Sequence, residues 1–114
     1  MDINALLLSD GYKQVHAEQF PKGTTKLVSY MTPRKSRLNE ESLVFFGLQG
    51  FCKEYLIDYF NSNFFLVPLE DVVSEYTRIL NVMLGEGNFG IQKIIDLHNL
   101  GYLPLEIWSV PEGS

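Results

Sequence analysis

Apolar residues recur every three or four positions in two long stretches of this 114-residue chain. That spacing, more than any other feature, limits what the chain can fold into. Side chains three and four apart share one face of an α-helix. Leu48, Phe51, Cys52, Tyr55, Leu56, Tyr59 and Phe60 therefore predict a helix over about 47–60, ended by Asn61, Ser62 and Asn63. Val72, Tyr76, Ile79, Leu80 and Met83 form a second stripe. Pro68 suits the first turn of that helix, and Glu70 and Asp71 suit its positive end. A third, shorter helix is expected over about 89–99 on the face of Ile91, Ile94, Ile95 and His98, with Gly101 placed to terminate it. Near the start, Ser9 or Asp10 can cap a helix over about 12–20, and the segment from Pro21 to Thr24 reads as a turn.

Two other segments alternate with period two, the signature of a half-buried strand. At about 26–32, Val28 and Tyr30 oppose Leu27, Ser29 and Met31; at about 103–110, Leu103, Leu105 and Ile107 share a face. A short β-prone run covers 42–46. The expected class is therefore α+β, a small helix-rich domain with two short strands. Hydrophobic residues make up 46% of the chain, enough for a core, though a small one. No strand follows 103–110, and Pro111, Glu112, Gly113 and Ser114 read as a turn into one. An unpaired strand is an exposed edge, so the expectation is that the intact protein continues or that a partner covers it.

A net charge of -5 argues against nucleic acid as a partner. The apolar run at residues 5–8 is too short to span a bilayer. The start, Met1, Asp2, Ile3 and Asn4, lacks the basic flank of a signal peptide. With one cysteine there is no disulfide framework. The setting expected is cytoplasmic, with no membrane partner.

Residue chemistry alone names no reaction. His16, Cys52 and His98 lack metal-ligand spacing, so no metal ligand is assigned. Without a nucleophile–base pair, no catalytic residue is assigned either. Cys52 reads as a small buried apolar residue, and His98 as a packed, hydrogen-bonded one. Gly85, Gly87 and Gly90 match a dinucleotide-loop spacing but follow a helical stripe instead of a strand, which makes them a loop. Tyr12 follows Asp10 and Gly11 at a helix start, where its ring could stack on a flat ligand or simply pack. Lys26, Arg34, Lys35 and Arg37 form a basic cluster that could hold phosphate or merely be solvated.

Three segments in register narrow these alternatives. LLLSDGYKQVHAEQFPKGTTKLVSYMTPR resembles the opening of nicotinamide phosphoribosyltransferases, LVFFGLQGFCKEYL resembles their Val-Phe-Tyr-Gly-Leu-Gln helix start, and LGYLPLEIWSVPEGS resembles their Leu-Pro-Ile-Glu-Ile strand with its Val-Pro-Glu-Gly end. The resemblance runs along all 114 residues and makes 1–114 the N-terminal domain of a type II phosphoribosyltransferase, with the catalytic barrel absent. It implies an enzyme joining nicotinamide to phosphoribosyl pyrophosphate, giving nicotinamide mononucleotide and pyrophosphate in NAD salvage. It implies a homodimer whose N-terminal segments reach into each other's sites.

In this sequence Tyr12 then matches the tyrosine that stacks on nicotinamide from the neighbouring subunit. Asp10 matches the aspartate beside it, and Arg34 matches an arginine that reaches substrate phosphates across the dimer. Gly11 departs from the family's usual serine. The segment itself is expected to bind no cofactor. Magnesium with phosphoribosyl pyrophosphate, the second stacking aromatic and the carboxamide-reading aspartate are implied for the rest of the enzyme. The chain alone is therefore expected to be inactive. Two alternatives stay open: a stand-alone module that binds or regulates a full-length transferase, and part of a nicotinate-specific homologue.

Overall fold

The computed structural model describes residues 3–114; the acidic start at Met1 and Asp2 lies outside the described residues. The best-packed part is a helical pair. Helix α2 comprises Leu69–Leu84 and α3 comprises Gln92–Leu100. Pro68 stands at the N-cap of α2, one position before the first turn expected for it, and its carbonyl accepts the N–H groups of Asp71 and Val72 at 3.0 and 3.1 Å. The four-residue spacing of Val72, Tyr76 and Leu80 puts all three on one line of the helix, and all three are buried. Phe64, Ile94 and Ala5 complete the core around them. Each such aliphatic or aromatic side chain contributes about 1.5–3 kcal/mol by leaving water.

The chain leaves both helices through glycine. Gly85 (φ 86°) and Gly101 (φ 87°) take backbone angles that a side chain disfavours, so each helix ends there. Between them, the segment with dinucleotide-loop spacing is a turn region that follows a helix, in keeping with its reading as a loop.

The preceding helix runs further than its sequence suggests. It opens as α1 (Leu48–Phe51), widens to π-type winding over Cys52–Tyr59 and, after Phe60, over Asn61–Phe65. Asn63 does not stop it, because its side-chain amide donates back to the Tyr59 carbonyl at 3.2 Å within the same helix. The burial of Phe64 further favours continuation. Along this helix Phe51 and Tyr55 stay about half exposed, and Phe64 is the buried residue.

Two 3₁₀ segments precede it, Ala5–Leu7 and Gly11–Gln19. The second occupies the place expected for a helix at 12–20, with the tighter i→i+3 pattern. Asn4 caps the first, its side-chain oxygen accepting the Leu6 N–H at 3.0 Å. The turn from Pro21 to Thr24 closes through a 3.2 Å backbone bond.

The α+β expectation is not borne out. Among the described residues there is no strand or sheet, and the chain is helix-rich. The segments at 26–32 and 103–110 carry the right alternation, but neither finds a ladder partner. A period-two pattern becomes a strand only when its N–H and C=O groups are paired. Both segments instead present apolar side chains outward, with Tyr30 89% and Trp108 86% exposed.

The tail does make one local clasp. Phe45 donates to the Ser114 carbonyl at 2.6 Å and accepts from the Gly113 N–H at 2.7 Å. The Glu112 carboxylate accepts the N–H groups of Gly47 and Gln49 at 2.8 and 3.2 Å. It thereby satisfies donors at the start of α1 that the helix itself leaves free.

Candidate functional site

Asp10 and Tyr12 sit together at the start of the Gly11–Gln19 helix. The Asp10 backbone is extended and its carbonyl accepts the Lys13 N–H at 3.0 Å, so the chain turns into the helix directly after it. The Asp10 carboxylate does not cap the helix; it faces the Lys13 ammonium at 3.8 Å. Both groups are exposed, so this pair adds little stability. The Tyr12 ring is 59% exposed. Its one aromatic neighbour among the described residues is His16, with ring centroids 5.3 Å apart and planes at 55°. The ring thus has a tilted aromatic neighbour while most of the residue stays exposed, which leaves it accessible to a flat ligand.

Gly11 has a packing role that sequence reading does not reveal. A β-carbon there would collide with the terminal methyl of Met83 on α2. The family's serine would require that methyl to move aside, which is feasible because it ends a flexible and partly exposed side chain.

Among the described residues no ion pair joins Arg34 to Asp10 or any other residue. Arg34 lies in the exposed extended stretch, as do Lys35 and Arg37. The loop beyond it is shaped by Ser36, whose hydroxyl accepts the N–H groups of Leu38 and Glu40 at 3.1 and 3.0 Å.

What holds the helix that carries Tyr12 is a polar network that sequence reading missed. Gln14 donates to the Leu6 carbonyl at 2.7 Å and to the Ser9 hydroxyl at 2.8 Å, and its side-chain oxygen accepts the Tyr76 hydroxyl at 3.2 Å. The Lys93 ammonium donates to the Gln14 carbonyl and, at 2.8 and 3.1 Å, to both oxygens of Glu18. The Lys93 hydrogen bond holds the Glu18 carboxyl below its ordinary range. Burial, helped by the Glu18 charge, pushes the Tyr76 phenol up to about 12. Tyr76 and Lys93 lie 62 to 79 residues from Gln14 and Glu18 in sequence, and no local spacing signals them.

Two open grooves flank the long helix. One, of about 530 Å³, lies between the 3₁₀ segments and Phe51, Tyr55 and Tyr59. The other, of about 400 Å³, runs between Cys52, Leu56, Ile57 and the extended residues 101–107. Cys52 is half-buried on the second groove and is not the fully buried residue expected. His98 matches its expectation: a ring nitrogen lies 2.7 Å from the Val67 carbonyl, and the ring packs edge-on to Phe64. Among the described residues no group of three or more His, Cys, Asp or Glu is placed to hold a metal ion. Among the described residues no helix is long and apolar enough to cross a membrane.

Residues 4–107 match the family model described as nicotinamide phosphoribosyltransferase, N-terminal domain. The chain belongs to that family. A nicotinamide phosphoribosyltransferase from Acinetobacter baylyi is 45% identical over 118 aligned positions, covering 98% of this chain. The chain spans 23% of that relative's length. No solved structure gives a significant match. Nearly the whole chain is thus similar to the N-terminal domain of a nicotinamide phosphoribosyltransferase, and the Asp10–Tyr12 helix start and Arg34 both fall inside the matched region.

Proposed function

We propose that this chain supplies the N-terminal domain to a cytoplasmic, homodimeric nicotinamide phosphoribosyltransferase, in which it forms one wall of a site shared between subunits. The observation that carries the reading is the exposed Tyr12 on a helix tied down by Gln14 and Glu18, with Asp10 beside it. Tyr12 stacks on the nicotinamide ring, which is flat and neutral and gains from an aromatic face. Asp10 lies next to the ring at the same interface. Arg34, on its exposed segment, reaches the phosphates of phosphoribosyl pyrophosphate, for which a guanidinium offers a planar fork of donors. The reaction breaks the bond between C1 of the ribose and pyrophosphate and forms one to the pyridine nitrogen. Positive charge develops at the ribose, so holding the ring in line and stabilising the departing pyrophosphate are the main tasks. Magnesium accompanying phosphoribosyl pyrophosphate is held by residues outside this chain.

The chain alone lacks the remainder of that site and is inactive by itself. The test is nicotinamide mononucleotide formation from nicotinamide and phosphoribosyl pyrophosphate. It is run with the chain alone and with a relative's polypeptide lacking its own N-terminal domain. Activity only in the mixture, with a three- to tenfold rise in nicotinamide KM on Tyr12→Ala (about 1 kcal/mol of lost stacking), supports the proposal. Turnover by the chain alone refutes its inactivity. Turnover of nicotinate in place of nicotinamide moves the substrate to the acid.

A further inference from the structure

The helix that presents Tyr12 is unusual in how it is held. It is a nine-residue 3₁₀ segment with no buried residue of its own. Such winding seldom persists beyond three or four residues unsupported. An amphipathic helix is placed by its apolar face; this one buries no residue fully, so polar ties take over much of that role. Beyond the bonds of Gln14 to Leu6 and Ser9, they come from two different helices. From α2, the Tyr76 hydroxyl, on a side chain with 0% exposure, reaches the Gln14 side chain. From α3, the Lys93 ammonium reaches the Gln14 backbone carbonyl and the Glu18 carboxylate. Gln14 lies two positions beyond Tyr12, and Glu18 lies four positions beyond Gln14.

We infer that Lys93 and Tyr76 form a latch on Gln14 and Glu18 that fixes the Gly11–Gln19 helix and thereby the Tyr12 ring, making Lys93 a positioning residue for nicotinamide. The substrate part of this inference rests on the functional reading above; the latch itself does not. The geometry gives it direction. The Tyr76 ring belongs to the core, so the Gln14 side chain is tied to the best-packed part of the molecule. The Lys93 side chain is only 30% exposed, so its bonds are less diluted by water than those of a surface pair. The depressed Glu18 carboxyl agrees with a formed ion pair.

Two measurements test this. The first is amide hydrogen exchange over 11–19 in the intact chain, comparing wild type, Lys93→Met, Lys93→Arg and Tyr76→Phe. Lys93→Met is expected to speed exchange there about tenfold, the size of one lost charge-assisted hydrogen bond, while 69–84 stays protected. Lys93→Arg restores most of that protection. Tyr76→Phe keeps the ring packed and removes only the hydroxyl, so its smaller increase confirms the latch independently of any packing loss. Unchanged exchange over 11–19 in both Lys93→Met and Tyr76→Phe overturns the latch.

The second is the kinetics of the reconstituted transferase. Lys93→Met should raise the nicotinamide KM about fivefold with the phosphoribosyl pyrophosphate KM unchanged, and Lys93→Arg should return it toward wild type. A fall in kcat alone, with both KM values constant, reports only a smaller folded fraction and overturns the positioning role. If Tyr12→Ala leaves the nicotinamide KM unchanged, the functional reading fails and the positioning role with it. The exchange data distinguish that failure from a failed latch.

Discussion

The α2–α3 pair and the two extended segments draw on similar residues and end in opposite states. Val72, Tyr76, Leu80 and Ile94 are buried, whereas Tyr30, Met31 and Trp108 stand in solvent. Composition does not separate them, since both regions are rich in aromatic and aliphatic side chains. The difference is where the backbone finds its hydrogen bonds. A helix satisfies its own N–H and C=O groups, so α2 can form first and then bury one stripe against α3 and Phe64. An extended segment depends on a neighbour for every ladder bond. Apolar periodicity of the helical kind is therefore sufficient locally, while periodicity of the strand kind is only a condition that a partner must complete.

Perturbing the core side of this comparison should have the largest effect. Leu80→Ala opens a cavity beneath Tyr76 and Phe64 and is expected to cost about 2–5 kcal/mol in urea unfolding. A loss below about 1 kcal/mol would mean that the helical pair is no better packed than the extended segments.

Alkaline titration should have the next largest effect. The folded phenol of Tyr76 is raised to about 12 from an ordinary 10. The folded state therefore favours the protonated form. The stability this contributes is fully present below about pH 10 and is lost as pH rises toward 12. Two units correspond to about 2–3 kcal/mol. Unfolding followed across pH 9–12 should show that loss in wild type and not in Tyr76→Phe. An identical pH profile for the two proteins would mean that the phenol is not desolvated as its burial indicates.

The smallest effect belongs to the extended side. Trp108→Ser removes a large apolar group that is already in water, apart from an indole N–H donated to Glu106 at 2.6 Å. It should change the stability of the chain by less than about 0.5 kcal/mol. A larger loss in urea unfolding would show that 103–110 is packed in solution and would narrow the contrast between the regions.

The candidate site divides in the same way. Tyr12 and Asp10 were legible because they share a short contiguous segment, as was the resemblance that gives them a role. Arg34 was legible as a basic residue, but its relation to the other two was not, because nothing local ties 25–46 to the helix start. Gln14, Glu18, Tyr76 and Lys93 were illegible as a group. Tyr76 looked like an ordinary core residue of its stripe, and Lys93 like one more surface charge. The wide winding of Cys52–Tyr59 was hidden too, since a stripe of threes and fours reads the same whether or not its turns later expand.

What the sequence by itself determined was family membership, the course of α2 and α3, the glycine stops after them, and the identity of Tyr12 and Asp10 as neighbours. All of these depend on residues close together in the chain or on order along it. What only the tertiary structure decided was that 26–32 and 103–110 remain unpaired, that the helix at 48–65 outlasts its asparagines, and that the Tyr12 helix is held by polar bonds from α2 and α3. Each of those depends on which distant groups meet. A hydrogen bond or a ladder forms only when both partners arrive, and a local pattern describes just one of them.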